Sequence, residues 1–308
     1  MMKQLAIKTA VLAALGIMTA PAMATNLVSV PTSGFSVSAG PGQPTGGTSA
    51  YTLCNTTGNF GSDESTEPTT GANNDCAVFP SSSLVAPESG YTLGRLATRN
   101  LVYNGVTIAS VLDYIWRNSG DGMCIFGTRW RMANADYNTT ASGTQYFEIN
   151  DFARKGFSGR TDVTAGYYYT SVSDEVVFRI GRTYTAVQHR ADLVDDDDPA
   201  SGYYAQPLSY ASASTAAING LSTYTSPLGV PTMDQQSAKI DGDWVNFTTD
   251  NNWLDDDGTS LPDSSLTYVK TACTSVPSTT TANAYSFRQT GQEEAPLIEV
   301  LMSGYVPN

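Results

Sequence analysis

Four aspartates that lie close to glycines are the residues whose type and spacing most suggest metal chemistry. They are Asp241, Asp243, Asp255 and Asp257. Ca²⁺ is bound by about six to eight oxygen atoms, and Gly242 and Gly258 allow tight loops that bring such oxygens together. We therefore predict Ca²⁺ as the candidate cofactor. The alternative is that these loops are merely solvated, because counting back from Gly258 puts Trp253 where the EF-hand pattern requires an aspartate.

A cluster of tyrosines and arginines is the candidate ligand-binding surface. It comprises Tyr167, Tyr168, Tyr169, Arg179 and Arg182. Tyrosine offers flat apolar area together with a hydroxyl, a combination that suits sugars and protein surfaces. Because Gly166 precedes the tyrosines, we expect them at an exposed loop tip. The alternative is that the tyrosines pack within a sheet while the arginines pair with Asp174 and Glu175.

Catalytic patterns are weak in this chain, and we assign no catalytic residue. The single histidine, His189, does not support a multi-histidine zinc site, and the G-x-S-x-G motif of serine hydrolases does not occur. A glycosidase needs two carboxyl groups on either side of the scissile bond. Glu148 and Glu175 lie in strand-like segments, where a buried acid is costly unless it has a role. A carbohydrate-active enzyme with paired carboxylates is thus the alternative to a binding protein.

The charge of the chain argues against nucleic acid as a partner. The sequence contains 16 lysines and arginines against 29 acidic residues, which gives a formal net charge of −13. Neutralisation of phosphates by Lys and Arg supplies most of the affinity for DNA and RNA, and an acidic chain cannot provide it. Anionic membrane surfaces are disfavoured for the same reason. The remaining partners are a glycan, a protein surface or a second copy of the chain.

The first 24 residues have the three parts of a secretory signal peptide. A basic start with Lys3 and Lys8 precedes the apolar run 9–20, and an A-x-A pattern ends at Ala24. The apolar run is shorter than the roughly 20 residues that span a bilayer, and we expect no transmembrane segment elsewhere. We therefore predict cleavage after Ala24 and a secreted, cell-surface or periplasmic protein.

Four cysteines in an exported chain predict two disulfide bonds. Cys54 and Cys76 enclose a stretch rich in Thr, Gly, Asn and Asp, which a local bridge would tie down. Pairing these two leaves Cys124 with Cys273. The other two connectivities stay open at this point.

Hydrophobic residues alternate with polar ones along many short segments, which predicts β-strands. The segments are 126–132, 145–149, 176–180, 245–247, 285–287 and 298–302. The pair Asn104-Gly105 between apolar residues predicts a hairpin turn. After it, apolar residues recur at helical spacing, which predicts one short helix near residues 107–118.

These patterns together predict an all-β protein with an antiparallel, sandwich-like or jelly-roll-like domain. We expect three regions: a signal peptide over 1–24, a Ser/Thr/Gly-rich segment with a local disulfide loop over 25–90, and a β-rich globular domain over 91–308. The expected function is non-catalytic binding or assembly outside the cytoplasm.

Overall fold

The computed structural model describes residues 27–37, 47–54, 68–72, 74–170, 174–187, 218–219, 238–255, 258, 260–289 and 298–308. In these ranges the regular structure consists of β-strands, as the sequence predicts for an all-β protein. No helix in this part of the chain is long and apolar enough to cross a membrane.

The strands before residue 91 have two or three residues each, and the longest strands lie between residues 92 and 132. Before residue 91 they are β1 (Val28–Ser29), β2 (Phe35–Val37), β3 (Gly47–Ser49), β4 (Tyr51–Leu53) and β5 (Ala77–Val78). The central ones are β6 (Thr92–Tyr103), β7 (Val106–Asn118), β8 (Met123–Met132), β9 (Ile149–Lys155), β10 (Thr164–Tyr168), β11 (Asp174–Glu175), β12 (Arg179–Gly181), β13 (Ala186–Val187) and β14 (Ile218–Asn219). The last are β15 (Trp244–Asn251), β16 (Asp263–Ser264), β17 (Leu266–Ala272), β18 (Thr281–Gln289) and β19 (Ile298–Gly304).

Two large sheets contain most of these strands. The nine-stranded sheet runs β1-β10-β17-β8-β16-β11, with β5 on β10 and the hairpin β6–β7 joined to β8. The six-stranded sheet has the order β19-β18-β9-β15-β12-β4. Most pairings are antiparallel, although β5 lies parallel to β10 and β11 lies parallel to β16. Two small sheets, β2-β3 and β13-β14, complete the described structure.

The two large sheets pack face to face through aromatic side chains. Trp130 of β8 lies 5.1 Å from the ring of Phe152 on β9 and 5.6 Å from that of Phe287 on β18. All three side chains are buried. The predicted alternation holds at the end of β8, where Trp130 and Met132 are buried but Arg131 is exposed, whereas residues 124–128 are all buried. The antiparallel sandwich-like fold is therefore confirmed.

Both predicted disulfide bonds are present, and they join different parts of the fold. Cys54 follows β4 of the six-stranded sheet and Cys76 precedes β5 of the nine-stranded sheet, so their bond connects the two sheets. Cys124 on β8 bonds to Cys273, which directly follows the neighbouring strand β17. The second bond thus reinforces a pair of strands within one sheet.

The region near residues 107–118 is a strand, and our prediction of a helix there is wrong. Asn104 and Gly105 form the expected turn with positive φ angles of 46° and 83°, and β7 pairs with β6 along its length. The reason is that β7 buries side chains on both faces. Val111 packs in the main core, while Tyr114 packs in a second cluster on the opposite face. Without a polar face, the strand lacks simple alternation and mimics helical spacing.

Strands from the predicted Ser/Thr/Gly-rich segment belong to both large sheets. β1 and β5 pair with β10 in the nine-stranded sheet, and β4 pairs with β12 in the six-stranded sheet. The described residues of this segment therefore pack with the rest of the protein.

Candidate functional site

The predicted tyrosine and arginine cluster is buried, so our expectation of an exposed loop tip is wrong. Tyr167, Tyr168 and Tyr169 are 0, 8 and 6% exposed, and Arg179 and Arg182 are equally inaccessible. Successive side chains of β10 point to opposite faces of the sheet, and both faces are buried, so these side chains pack in two different cores. Tyr167 lies in the core between the large sheets and Tyr168 lies in the cluster on the outer face of the nine-stranded sheet.

Arg182 holds several loops together through their carbonyl groups. Its Nη2 atom donates to the carbonyl oxygens of Phe157 at 2.8 Å, Arg160 at 3.1 Å and Gly242 at 2.6 Å. The guanidinium group is buried, which lowers its pKa, although Asp243 and other acids nearby oppose this effect. These contacts give Arg182 a structural role.

Two of the predicted calcium ligands stabilise a turn. Asp241 accepts a hydrogen bond from the backbone of Asp243 at 2.8 Å, and the Asp243 carboxylate accepts one from the backbone of Ser158 at 3.0 Å. Lys155 lies 3.9 Å from the same carboxylate. Asp255 is described but Asp257 lies outside the described residues. Within the described ranges no three acidic, histidine or cysteine side chains form a metal-binding group.

Of the two glutamates considered for a glycosidase pair, the structure describes the side chain of only one. Glu148 is buried and accepts a hydrogen bond from Asn150, whose amide also donates to Asp250 at 3.2 Å. Glu175 belongs to β11, and its side chain lies outside the described structure. His189 also lies outside it. The Glu148 site is closed to solvent, so a substrate cannot reach this carboxylate.

A row of charged side chains crosses the outer face of the six-stranded sheet. Pairing of the strands places Glu299 of β19 beside Arg288 of β18, and Arg288 beside Asp151 of β9. Arg288 donates to Asp151 at 2.9 Å and to Glu299 at 3.1 Å. The Arg288 and Asp151 side chains are 0% exposed, whereas that of Glu299 is 27% exposed. The row is an internal salt-bridge network that opens to solvent at Glu299.

The electrostatics of this row differ at its two ends. Burial raises the pKa of Asp151 to about 6, and the opposing effects of Arg288 and of a hydrogen bond to Asn246 do not cancel it. Burial also favours the neutral form of Glu299, but hydrogen bonds from Ser286 and Tyr184 and the charge of Arg288 together lower its pKa. As the pH falls, Asp151 is thus the acid in this row that takes up a proton first.

A small surface pocket lies next to the open end of the row. It has a volume of about 160 Å³ and is lined by Tyr184, Thr185, Lys239 and Asp241. Tyr184 donates its hydroxyl to Glu299, and its ring lies 4.6 Å from that of Trp244 on β15. The pocket therefore combines one aromatic side chain, which packs against Trp244 outside the lining, with an ammonium group and a carboxylate.

Tyr184 and Trp244 each lie against a cationic side chain. The Arg288 guanidinium group lies 4.2 Å from the centre of the Tyr184 ring. Lys155 lies 5.9 Å from the centre of the Trp244 ring. Burial, and the hydrogen bond to Glu299, raise the pKa of the Tyr184 hydroxyl. The aromatic wall of the pocket is held in place before any ligand binds.

Of the residues that line the pocket, sequence reasoning named only Asp241, as a calcium ligand, and did not identify Tyr184, Thr185 or Lys239. Tyr184 lies in the same stretch as the predicted cluster, but its neighbours Trp244 and Lys239 come from a distant part of the chain. Comparisons with protein-family models, with curated proteins and with solved structures give no match for this chain.

Proposed function

We propose that this chain is an exported, non-catalytic binding protein that holds a neutral saccharide unit in the Tyr184 pocket. The observation that carries this proposal is the convergence of the Tyr184 ring, an ammonium group and a carboxylate around a volume of about 160 Å³. Sugars present C–H groups that pack on aromatic rings and hydroxyls that both donate and accept hydrogen bonds. The aromatic ring of the pocket suits the C–H groups, and its ammonium and carboxylate groups suit the hydroxyls.

The size and charge of the pocket narrow the ligand class. Ligand pockets for drug-sized molecules measure about 300–1,000 Å³, so this pocket accommodates a single small group such as one sugar ring. Lys239 and Asp241 supply opposite charges to it. A neutral saccharide can hydrogen-bond to both groups and brings no charge of its own. An acidic saccharide would also be repelled by a protein with a net charge of −13.

The limited exposure of the carboxyl groups in the charged row favours a binding function over a catalytic one. A glycosidase requires two carboxyl groups that both reach the scissile bond. In the charged row Glu299 is partly exposed, but Asp151 is 0% exposed behind Arg288. Export is supported by the two disulfide bonds, since such bonds persist in oxidising compartments. The predicted signal peptide over residues 1–24 agrees with this location.

A glycan array probed with the purified protein tests the proposal. We expect retention of glycans that end in a neutral sugar, and mass spectrometry should recover them intact. Titration calorimetry with the corresponding monosaccharide should then show at least about tenfold weaker binding for Lys239→Met and Asp241→Asn, equivalent to about 1.4 kcal/mol. Arg131→Met is the matched control, because it removes an exposed positive charge on the other sheet.

Three results would overturn the proposal. They are the absence of binding to any neutral glycan, equal binding by the wild type and both pocket variants, and cleavage of the bound glycan. Asp241→Asn keeps an acceptor for the backbone of Asp243, so this variant should fold normally. A thermal melt on each variant checks this before the titration.

A further inference from the structure

The loop between β8 and β9 contains an acceptor pattern for the covalent attachment of a glycan. Asn138, Thr139 and Thr140 match N-x-[S/T], the pattern at which exported proteins receive N-linked glycans on surface loops. The same pattern occurs at Asn55 and at Asn246. Because so short a pattern also arises by chance, the surroundings of each asparagine decide which one an enzyme can reach.

The pattern at Asn246 is closed by the fold. Asn246 is 0% exposed and Thr248 is 1% exposed. Both belong to β15, which pairs with β9 on one edge and with β12 on the other. The side-chain oxygen of Asn246 accepts a hydrogen bond from the Tyr51 hydroxyl at 3.1 Å. In the folded protein Asn246 is therefore out of reach of a modifying enzyme. Asn55 lies outside the described residues.

The pattern at Asn138 lies in an open turn. The backbone N–H of Ala141 donates to the carbonyl oxygen of Asn138 at 3.0 Å, which closes a four-residue turn. Asn138 is partly exposed, and residues 139–144 are all exposed. A surface loop of this kind lets an enzyme contact the asparagine together with the residue two positions later. Asn138 thus has the accessibility that Asn246 lacks.

The turn has an ordered base. Tyr137 is buried, and its ring packs edge-to-face on that of Phe147 with centres 5.5 Å apart. The Asp136 carboxylate accepts hydrogen bonds from the backbone of Asn138 at 2.9 Å and from that of Gln145 at 3.3 Å. These contacts join the two ends of the loop. Asn138 is therefore the first residue of an exposed turn that is anchored at its base.

The two side chains that the acceptor pattern requires are in contact with each other. The Thr140 hydroxyl donates to Asn138 Oδ1 at 2.6 Å. Among the described residues, no protein group accepts a hydrogen bond from Asn138 Nδ2. The amide nitrogen that would carry a glycan is thus available, while the amide oxygen is held by the threonine that the pattern specifies.

We propose that Asn138 is an N-glycosylation site of the exported chain, modified by an oligosaccharyltransferase that uses a lipid-linked oligosaccharide. In this transfer Asn138 Nδ2 forms a bond to the anomeric carbon of the donor sugar, and the bond from that carbon to the pyrophosphate oxygen breaks. The lipid pyrophosphate leaves with the bonding electrons, and Nδ2 loses one proton to a base of the enzyme. The inference rests on the proposed export but not on the Tyr184 pocket.

Transfer to the folded protein tests the site directly. The purified, disulfide-bonded chain is incubated with an oligosaccharyltransferase and a lipid-linked oligosaccharide, and peptide mapping by mass spectrometry locates the glycan. We expect the glycan on Asn138 and none on Asn246. Asn138→Gln and Thr140→Val should each abolish transfer to this loop. Thr139→Val is the matched control, because it changes a neighbouring exposed threonine at the middle position of the pattern and should leave transfer unchanged.

The protein released by its own cells provides the second test. Its intact mass should exceed that of the chain beginning at Thr25 by one oligosaccharide, and an amidase that removes N-linked glycans should convert Asn138 to aspartate. An exported chain with unmodified Asn138, transfer to Thr140→Val equal to that of the wild type, or modification of Asn246 in the folded protein would overturn the inference. Saccharide binding by Asn138→Gln should match that of the wild type, so it reports separately on the Tyr184 pocket.

Discussion

The outer faces of the two large sheets are both covered, but by opposite kinds of side chain. On the six-stranded sheet, Arg288 and Asp151 form an ion pair that is 0% exposed. On the nine-stranded sheet, Trp116 stacks on Tyr114 with ring centres 5.4 Å apart, and the indole N–H donates to the carbonyl of Leu84 at 3.1 Å. Both of these pairs are buried, so the difference between them lies in how much the stability of each depends on its exact partner.

Buried charges and buried rings respond differently to the loss of one partner. Removing one member of an ion pair leaves the other charge unpaired in a medium that solvates it poorly. Removing part of an aromatic ring costs only the lost contacts and the cavity. The polar face should therefore be the less tolerant of single substitutions, and three measurements compare the two faces.

The largest loss of folding stability is expected for Arg288→Met. This change leaves Asp151 buried without its cation, and we expect a loss of about 3–5 kcal/mol in the free energy of unfolding at pH 7. Urea unfolding followed by tryptophan fluorescence measures it. The double variant Arg288→Met/Asp151→Leu should recover most of this loss, because apolar residues can replace a buried pair at little cost. A double variant as unstable as the single one would mean that packing, and not charge, holds this face.

An intermediate change in the free energy of unfolding is expected when the pH is varied. The pKa of Asp151 is about 6 in the folded protein against 3.8 for the ordinary carboxyl group, so the folded state binds the proton more tightly. The resulting stabilisation is fully present below about pH 4 and is lost as the pH rises through 6, at most about 3 kcal/mol. Asp151→Asn lacks this dependence. Unfolding curves at pH 4 and 7 should show the wild type losing stability relative to Asp151→Asn, and parallel behaviour would contradict the assignment.

The smallest effect is expected for Trp116→Phe on the aromatic face. This change removes the hydrogen bond to Leu84 and part of the ring, and we expect a loss of about 1–2 kcal/mol. Leu84→Ala is the control, because it keeps the carbonyl group and trims a side chain that is 54% exposed. Thermal unfolding of both variants measures the difference. A loss from Trp116→Phe as large as that from Arg288→Met would remove the contrast between the two faces.

Features that depend on neighbouring residues were predictable from the sequence. The Asn104-Gly105 turn was predictable because both of its residues have positive φ angles, which Asn and Gly adopt readily. The pairing of Cys54 with Cys76 followed from the composition of the stretch between them. Alternation over residues 126–132 predicted a strand, which the structure confirms, but residues 124–128 of β8 are buried on both faces and do not alternate.

Features that depend on which strands become neighbours were not predictable. Tyr167 and Tyr168 face two different cores, and a sequence does not reveal that the second core exists. For the same reason β7 resembled a helix. Tyr184 of the pocket packs against Trp244, and this contact depends on the pairing of β12 with β15. Long-range pairing of this kind leaves no local pattern in the residues it brings together.

The bond between Cys124 and Cys273 has a mechanical consequence. These cysteines are separated by 149 positions along the chain. If the protein is pulled by its two ends, the force passes through the sulfur atoms and bypasses the chain between them. At about 3.4 Å per residue, roughly 500 Å of contour length cannot be released while the bond is intact. Strands β9 to β17 and the hydrogen bonds among them are thus shielded from tension, and stretching can extend only the segments outside this covalent loop.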